Sequence, residues 1–265
     1  MIYLANINHE ITQKYINSFS ESPFATRVKG LLKAYGDYPN LYNFWFQKDE
    51  KDENNITAYI IKYGGEFIVD FSINLNFEQF NEIINMCKMA GGTCIMCRKT
   101  DFCDIADSET GIIMKLDKLK INSNKLIKFT FTEDVNLTDY YKILQENNSD
   151  KFTVPNFEDF YVDLHHRLRR QSAKILGLYD NSRLISCCTA TAVHNSSAVL
   201  AGVATLPDYK GQGYGTAIVT EMCYHLINKD IINIFLQRNS NENYSFYNKI
   251  GFENISEFQQ INLQY

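Results

Sequence analysis

Apolar residues recur along this chain at helical spacing in some windows and at alternating spacing in others. In SPFATRVKGLLKAYG, Ser22 is placed to cap and Pro23 suits a first turn. Phe24, Val28, Leu31, Leu32 and Tyr35 then fall on one stripe, which predicts a helix. The runs LYNFWFQ, ITAYIIKY and EFIVDFS predict strands, the last two folded into a hairpin at Gly64-Gly65. In NFEQFNEIINMCKMAGG, Asn76 and Gln79 make a capping-box start. Phe80, Ile83, Ile84 and Cys87 give the stripe, and Gly91 the stop of a second helix. TCIMC and GIIMKL predict closing strands.

The remainder repeats this order. LIKFTFTE predicts a strand, and NLTDYYKILQEN and NFEDFYVDLHHRLRRQ predict helices. The second of these sets Phe157, Phe160, Tyr161, Leu164 and Leu168 on its core face, with acids in its first turn and bases in its last, as the helix dipole prefers. AKILGLYD, LISCCTATAV and SAVLAGVATL are separated by Asp180-Asn181 and Asn195-Ser196, which predicts an antiparallel meander. TAIVTEMCYHLI is a helix with Ile218, Val219, Met222, Cys223 and Leu226 on its core face. IINIFLQ is a strand buried on both sides, NENYSFYNKI a short helix stopped by Gly251, and FENISEFQQINL the last strand. The polar stretch INSNK (121–125) is the joint, giving domains 1–124 and 125–265. The fold class is α/β of the α+β type: a mixed, mostly antiparallel twisted sheet with helices on both faces, built from two tandem halves.

Composition narrows the partners. The 265 residues are 45% hydrophobic and 22% charged, enough for packed cores. The net charge of −5 is shared, with 14 Lys/Arg against 16 Asp/Glu in 1–125 and 12 against 15 in 126–265. Nothing in that balance tracks a phosphate backbone, so no nucleic-acid partner is expected. The start MIYLANINHE has neither a basic nor an apolar leader segment, and no run reaches membrane-spanning length. Seven cysteines without a scaffold pattern predict a reduced, cytoplasmic setting. Cys87, Cys94, Cys97 and Cys103 are close in sequence, but only Cys94-x-x-Cys97 has a ligand spacing. A strand would point those two to opposite faces, so no metal is expected.

The candidate chemistry is in AGVATLPDYKGQGYGTA (201–217). Gly211, Gly213 and Gly215 lie between a strand and a helix start, where bare backbone N–H groups and the helix dipole suit an anion. The phosphate-loop pattern Gly-Lys-Ser/Thr is missing. A dinucleotide fingerprint would need Gly or Ala where Thr216 stands, and a parallel strand–helix–strand unit where a meander is expected. A ligand-free glycine turn is the plain alternative.

Pro207-Asp208-Tyr209-Lys210-Gly211-Gln212-Gly213-Tyr214-Gly215 resembles the acyl-CoA loop of the GNAT superfamily of N-acyltransferases, Arg/Gln-x-x-Gly-x-Gly/Ala after a strand. Lys210 stands where Arg or Gln is usual. A second signature of that family, Tyr-x-x-x-Gly-Phe, is matched by Tyr247 to Phe252, one strand and one helix further on. Seven residues before the Tyr the family has Asn, and here Ser240 lies between Asn239 and Asn241. The resemblance spans residues 126–265; the first half shares only element order.

It implies that amides of Lys210, Gly211, Gln212, Gly213, Tyr214, Gly215 and Thr216 hold the pyrophosphate of acetyl-CoA. It implies that backbone at Val203, Ala204 and Thr205 pairs with the pantetheine arm and polarises the thioester. It further implies that Tyr247 is the general acid, and that a small-molecule or peptide amine is the acceptor. Lys210, Lys249 or Arg238 could meet outlying phosphates. The strand before the loop has no acid to serve as base; His194, Glu221 and the His165-His166 pair are the candidates. A non-catalytic CoA-binding sensor or scaffold is the alternative function. A tandem aminoacyl-transferase is disfavoured by the net charge. In the first half, DFSINLNFEQF replaces the loop and has no glycine, so no CoA is expected there.

Overall fold

The computed structural model describes residues 1–20, 22–102, 108–121, 130–148, 154–239 and 243–263. Two compact units divide the chain: Met1–Ile112 with Ser256–Tyr265, and Ile113–Ile255. The division therefore differs from the sequence expectation of 124/125, and the last ten residues return to the first unit. Apolar side chains decide this. Ile261 and Leu263 are buried in the first core beside Val69, Ile95 and Cys97, while Ile113, Met114 and Leu116 are buried on the other side of the division. Most of the INSNK stretch lies outside the described residues.

The first unit runs β1 (Ile2–Ala5), α1 (Glu10–Asn17), α2 (Pro23–Tyr35), β2 (Tyr42–Lys48), β3 (Ile56–Tyr63), β4 (Glu66–Phe71), α3 (Phe77–Met89) and β5 (Cys94–Arg98). The far end of β12 (Phe252–Asn262) pairs with β5. Strands β1 to β4 are antiparallel in sequence order, and β4 is parallel to β5 across α3. The hairpin at Gly64-Gly65 and the Asn76/Gln79 capping box are both present. β1 and α1 were not expected from the pattern; β1 is a four-residue strand with Leu4 65% exposed, too short and too open to show a buried face.

The second unit contains the latter part of β6 (Ser108–Leu116), then β7 (Thr130–Thr132), α4 (Leu137–Glu146), α5 (Phe157–Arg169), β8 (Lys174–Asp180), β9 (Arg183–His194) and β10 (Ser197–Thr205). After these come α6 (Tyr214–Ile227), β11 (Asn233–Asn239) and α7 (Tyr244–Ile250). Its strand order is β6-β11-β10-β9-β8-β7. β8, β9 and β10 form the expected meander, with Asn181 and Asn195 taking positive φ at its turns. β10, however, is parallel to β11, so β10–α6–β11 is a strand–helix–strand crossover where only a meander was foreseen. That removes one argument against a dinucleotide loop and leaves Thr216 as the other. Ile218, Val219, Met222, Cys223 and Leu226 of α6 are buried as expected. The α5 stripe is only partly covered: Leu164 is buried, Phe160 and Leu168 are half-buried, and Phe157 and Tyr161 are exposed. No helix among the described residues is long and apolar enough to cross a membrane.

A buried ionic cluster braces the first unit. The fully buried Lys29 ammonium donates to Ser18 O, Ser18 Oγ and Phe19 O, each at 2.9 Å, and sits 4.5 Å from the Tyr15 ring centre. Tyr15 and Ser22 donate to the Asp70 carboxylate at 2.8 and 3.0 Å. Burial lowers the Lys29 pKa to about 8, with Asp70 pulling it back up, and burial raises that of Asp70.

Lys29 gives a pH prediction. Its folded pKa lies below the unfolded one, so between about pH 8 and 10 the unfolded chain holds a proton that the folded chain does not. This contribution to stability is complete above the unfolded pKa and is lost as pH falls through about 8. In urea unfolding, the wild type should gain roughly 1–2 kcal/mol on Lys29→Met between pH 7.5 and 9.5. Parallel pH curves for the two proteins would show that Lys29 titrates normally.

Candidate functional site

The site is built where β10 leaves β11. Their parallel register runs from Ser197↔Asn233 to Leu200↔Leu236 and then ends, although β10 continues to Thr205. Against β9 the register shifts between Ala201 and Ala204, which marks a β-bulge. Gly202 lies in this bulge at φ +60. From α4, the buried Tyr140 hydroxyl donates to Gly202 O at 2.7 Å and lies 2.7 Å from Thr189 Oγ1. Asn147, just past α4, donates to Thr205 O at 3.1 Å, and Ser186 donates to Ala204 O at 3.1 Å. Three side chains thus hold the carbonyls of Gly202, Ala204 and Thr205 on the side of β9 and α4. No β11 residue pairs with 201–205.

The strand then feeds the glycine segment. Pro207–Tyr209 form a 3-10 turn, Gly211 takes φ +74, and Gly213 takes φ +88 as the N-cap of α6. Apart from its own chain neighbours, neither glycine has a described atom within 4 Å of where a Cβ would stand. A side chain would therefore project into the open approach to the helix end. Among the described helices of eight residues or more, α6 alone has no side chain on its N-terminal donors. His9, Ser22, Asn76, Asn136 and Asn156 cap the other five. The uncapped N–H groups and the helix dipole suit a phosphate. Lys210 and Gln212 are exposed, Gln212 Nε2 donating to Asp208 O at 2.9 Å. Tyr209 packs edge-on against Tyr214 and donates to Asp180.

Tyr247 is carried to the same end of the unit by α7. A Cβ on Gly215 would meet the Phe246 ring at 3.5 Å and Thr205 Oγ1 at 3.4 Å, so the starts of α6 and α7 converge on the end of β10. The Tyr247 ring packs edge-on between Phe246 and Phe252, and its hydroxyl hydrogen-bonds to no described residue. Burial raises its pKa, and the Cys188 thiol raises it further. Cys188 lies on β9 opposite the bulge, between Thr189, paired with Ala201, and Cys187, paired with Ala204. Tyr247 thus lies on the helix whose Phe246 meets the start of α6, with burial favouring its protonated form.

The other candidates fare differently. Arg238 is 7% exposed, donates to Met114 Sδ and Asn254 Oδ1, and lies over the Tyr244 ring, so it is a packed residue and not a surface cation. Lys249 is exposed. His194 pairs with Ser197 at the opposite end of β10 from Thr205, roughly 26 Å away at the usual rise of a strand. Glu221 is half-exposed on α6, with its pKa raised by burial. His165 stacks on Tyr161. Ser240 and Asn241 lie outside the described residues, as does Cys103; Cys87, Cys94 and Cys97 are buried. No group of three or more His, Cys, Asp or Glu among the described residues could hold a metal. The sequence reading missed Gly202, Tyr140, Thr189 and Asn147. A lone glycine inside an apolar strand was the available signal for the bulge.

Residues 137–252 match the profile of the acetyltransferase (GNAT) family. A Glycine max protein named histone acetyltransferase TAP1 is 36% identical over 74 residues, 28% of this chain and 32% of that protein. An Arabidopsis thaliana GCN5-related N-acetyltransferase 2, chloroplastic, is 38% identical over 71 residues, 27% of each. The chain thus spans about a third or less of these relatives. Among solved structures, a tandem GNAT protein from the clavulanic acid biosynthesis pathway aligns over 100% of this chain and 99% of its own, with TM-score 0.60 and 9% identity. A GNAT-family acetyltransferase from Colwellia psychrerythraea aligns over 100% of both chains, with TM-score 0.57 and 12% identity. Residues 137–252 are a GNAT acetyltransferase domain, and the fold of the chain is that of GNAT proteins, a tandem one among them.

The bulge can be tested by stability alone. A Cβ at Gly202 would stand 2.1 Å from the Tyr140 hydroxyl, on a backbone at positive φ. Gly202→Ala should cost about 2–3 kcal/mol in the wild-type background, and at least about 1 kcal/mol less in Tyr140→Phe, where the clashing oxygen is gone. Additive losses in this double-mutant cycle would separate Tyr140 from the bulge.

Proposed function

We propose that the second unit binds acetyl-CoA and passes its acetyl group directly to the primary amine of a small molecule or peptide. One observation carries this reading. The strand that parts from its neighbour after Leu200 is the strand that leads into the uncapped, glycine-lined start of α6. An extended ligand with an amide-bearing arm and a pyrophosphate matches that run of backbone. The arm would lie along Val203, Ala204 and Thr205, and the pyrophosphate on the amides from Lys210 to Thr216.

The chemistry follows from charge development. The amine lone pair bonds to the thioester carbonyl carbon, and backbone donors on β10 stabilise the oxyanion that forms. When the carbon–sulfur bond breaks, the thiolate takes the phenolic proton of Tyr247, the new amide nitrogen sheds its extra proton to water, and water returns a proton to the phenolate. The products are an N-acetyl amine and CoA thiol. A raised pKa keeps Tyr247 protonated, as a general acid requires. A CoA-binding module without catalysis is the second reading, favoured by a β10 sequence, SAVLAGVAT, that carries no acid to act as base.

Three outcomes test the proposal. Acetyl-CoA should bind the full chain at a single site and raise its melting temperature. Gly213→Val, which places a branched side chain at positive φ in the anion approach, should remove most of that binding. No calorimetric binding to the wild type would refute both readings, and full binding by Gly213→Val would make the loop a plain turn.

Tyr247→Phe should retain acetyl-CoA affinity while kcat falls by roughly 10²–10⁴-fold, with kcat/KM falling in step. Full activity in that variant would leave Tyr247 as a packing residue.

The pH profile has a defined sign. An acid with a raised pKa stays protonated across the working range, so Tyr247 imposes no alkaline loss of kcat below about pH 10. An alkaline limb with an apparent pKa near 8, present in the wild type and absent in Tyr247→Phe, would contradict this environment.

A further inference from the structure

The uncovered part of α5 is one continuous face. Phe157, Glu158, Tyr161, Val162, His165 and Arg169 are all exposed. At about 100° per residue they fall within an arc of roughly 140°. The buried Leu164 lies outside that arc, as do Asp163 and Arg167, which pair with each other at 2.7 Å. Val162 is 66% exposed, and Phe157 and Tyr161 are 38% and 39% exposed. No other described helix carries three large apolar side chains this open. Scattered apolar residues on a surface need no partner, but a group of them on one helix face marks a contact surface.

The charges at the two ends of the face say what fits it. Glu158 is in the first turn of α5 and Arg169 in the last. They lie on nearly the same line of the helix, about 16 Å apart along its axis. No described residue forms an ion pair with either of them. A second α5 laid antiparallel on the first puts Glu158 of each copy opposite Arg169 of the other, with Tyr161, Val162 and His165 of both copies between. A parallel arrangement would set Glu158 against Glu158 and Arg169 against Arg169. The antiparallel arrangement is closed by a twofold axis, so each contact is made twice and no complementary surface is left for a third copy.

We propose that α5 is a self-association surface on which a second copy of this chain packs antiparallel about a twofold axis, forming the Glu158–Arg169 pair twice. The inference stands apart from the acetyl-transfer reading, because it uses none of the residues assigned to acetyl-CoA. Its strength follows from its size. A helix face roughly 20 Å long and 10 Å wide covers about 200–400 Å² per copy, well short of the 800 Å² or so of a stable interface. The dimer is therefore a weak one that forms in the micromolar range.

Sedimentation equilibrium of the full chain, from about 1 μM to about 500 μM, reads the association directly. The wild type should show a monomer–dimer equilibrium with Kd roughly 10–100 μM, weakened several-fold when salt rises from about 50 mM to about 500 mM. Glu158→Arg and Arg169→Glu should each weaken it at least about tenfold, since each sets two like-charge pairs across the twofold axis. The double variant Glu158→Arg/Arg169→Glu should recover most of the wild-type association. Both side chains are exposed, so the variants should fold, and thermal unfolding by circular dichroism checks that they do. Recovery in the double variant cannot come from a folding defect. A chain that stays monomeric at the highest concentration overturns the proposal, as does association beyond the dimer. So do a dimer indifferent to both single reversals and a folded double variant no stronger than the singles.

Discussion

The second unit is organised by the parting of two parallel strands. A sheet satisfies its backbone by pairing, and buried N–H and C=O groups left without partners are costly. β10 and β11 pair for four residues and stop, while β10 runs on for five more. What makes this tolerable is the support on the other side: Tyr140, Ser186 and Asn147 take up the carbonyls of Gly202, Ala204 and Thr205. The bulge needs a glycine because the Tyr140 oxygen fills the place of a side chain. Without this bracing the strand would relax onto β11, and the approach to the α6 N-terminus would close.

The first unit makes the same turn in the chain and finishes it differently. β4 and β5 are also parallel, and their register also ends after four pairs, at Val69↔Cys97. There Arg98 donates to Phe71 O at 3.0 Å and lies over the Phe71 ring. The helix that follows has its donors capped by Asn76, with Gln79 capping in return. Protein side chains thus supply internally what a ligand would supply in the second unit. The two strand–helix–strand crossovers thus share a parallel pairing of four residues and differ in the polar side chains that close the helix start.

Much of this was legible in the sequence for physical reasons. Helices with a buried stripe, such as Phe80 to Cys87 or Ile218 to Leu226, announce themselves by period, and the glycines at 211 and 213 by a conformation that other residues resist. The spacing of Tyr247 from Gly251 and Phe252 singles it out in the sequence, and its catalytic role stands as a proposal. Long-range facts were not. Nothing local says that β10 and β11 run parallel, that Tyr140 reaches across to Gly202, or that Arg238 is packed between Met114 and Asn254. The α5 stripe misled because helical period reports an apolar face without saying what covers it. The joint at 121–125 misled because a polar stretch need not separate cores, and Ile261 and Leu263 choose theirs by packing.

Recognition through main-chain groups also explains how the parts divide their labour. In the proposed mode of binding, amides at a helix start and along a strand act by backbone position, so the side chain at Lys210 would matter less than the backbone that carries it. The general acid proposed at Tyr247 would need a neutral phenol, and burial together with Cys188 raises its pKa in that direction.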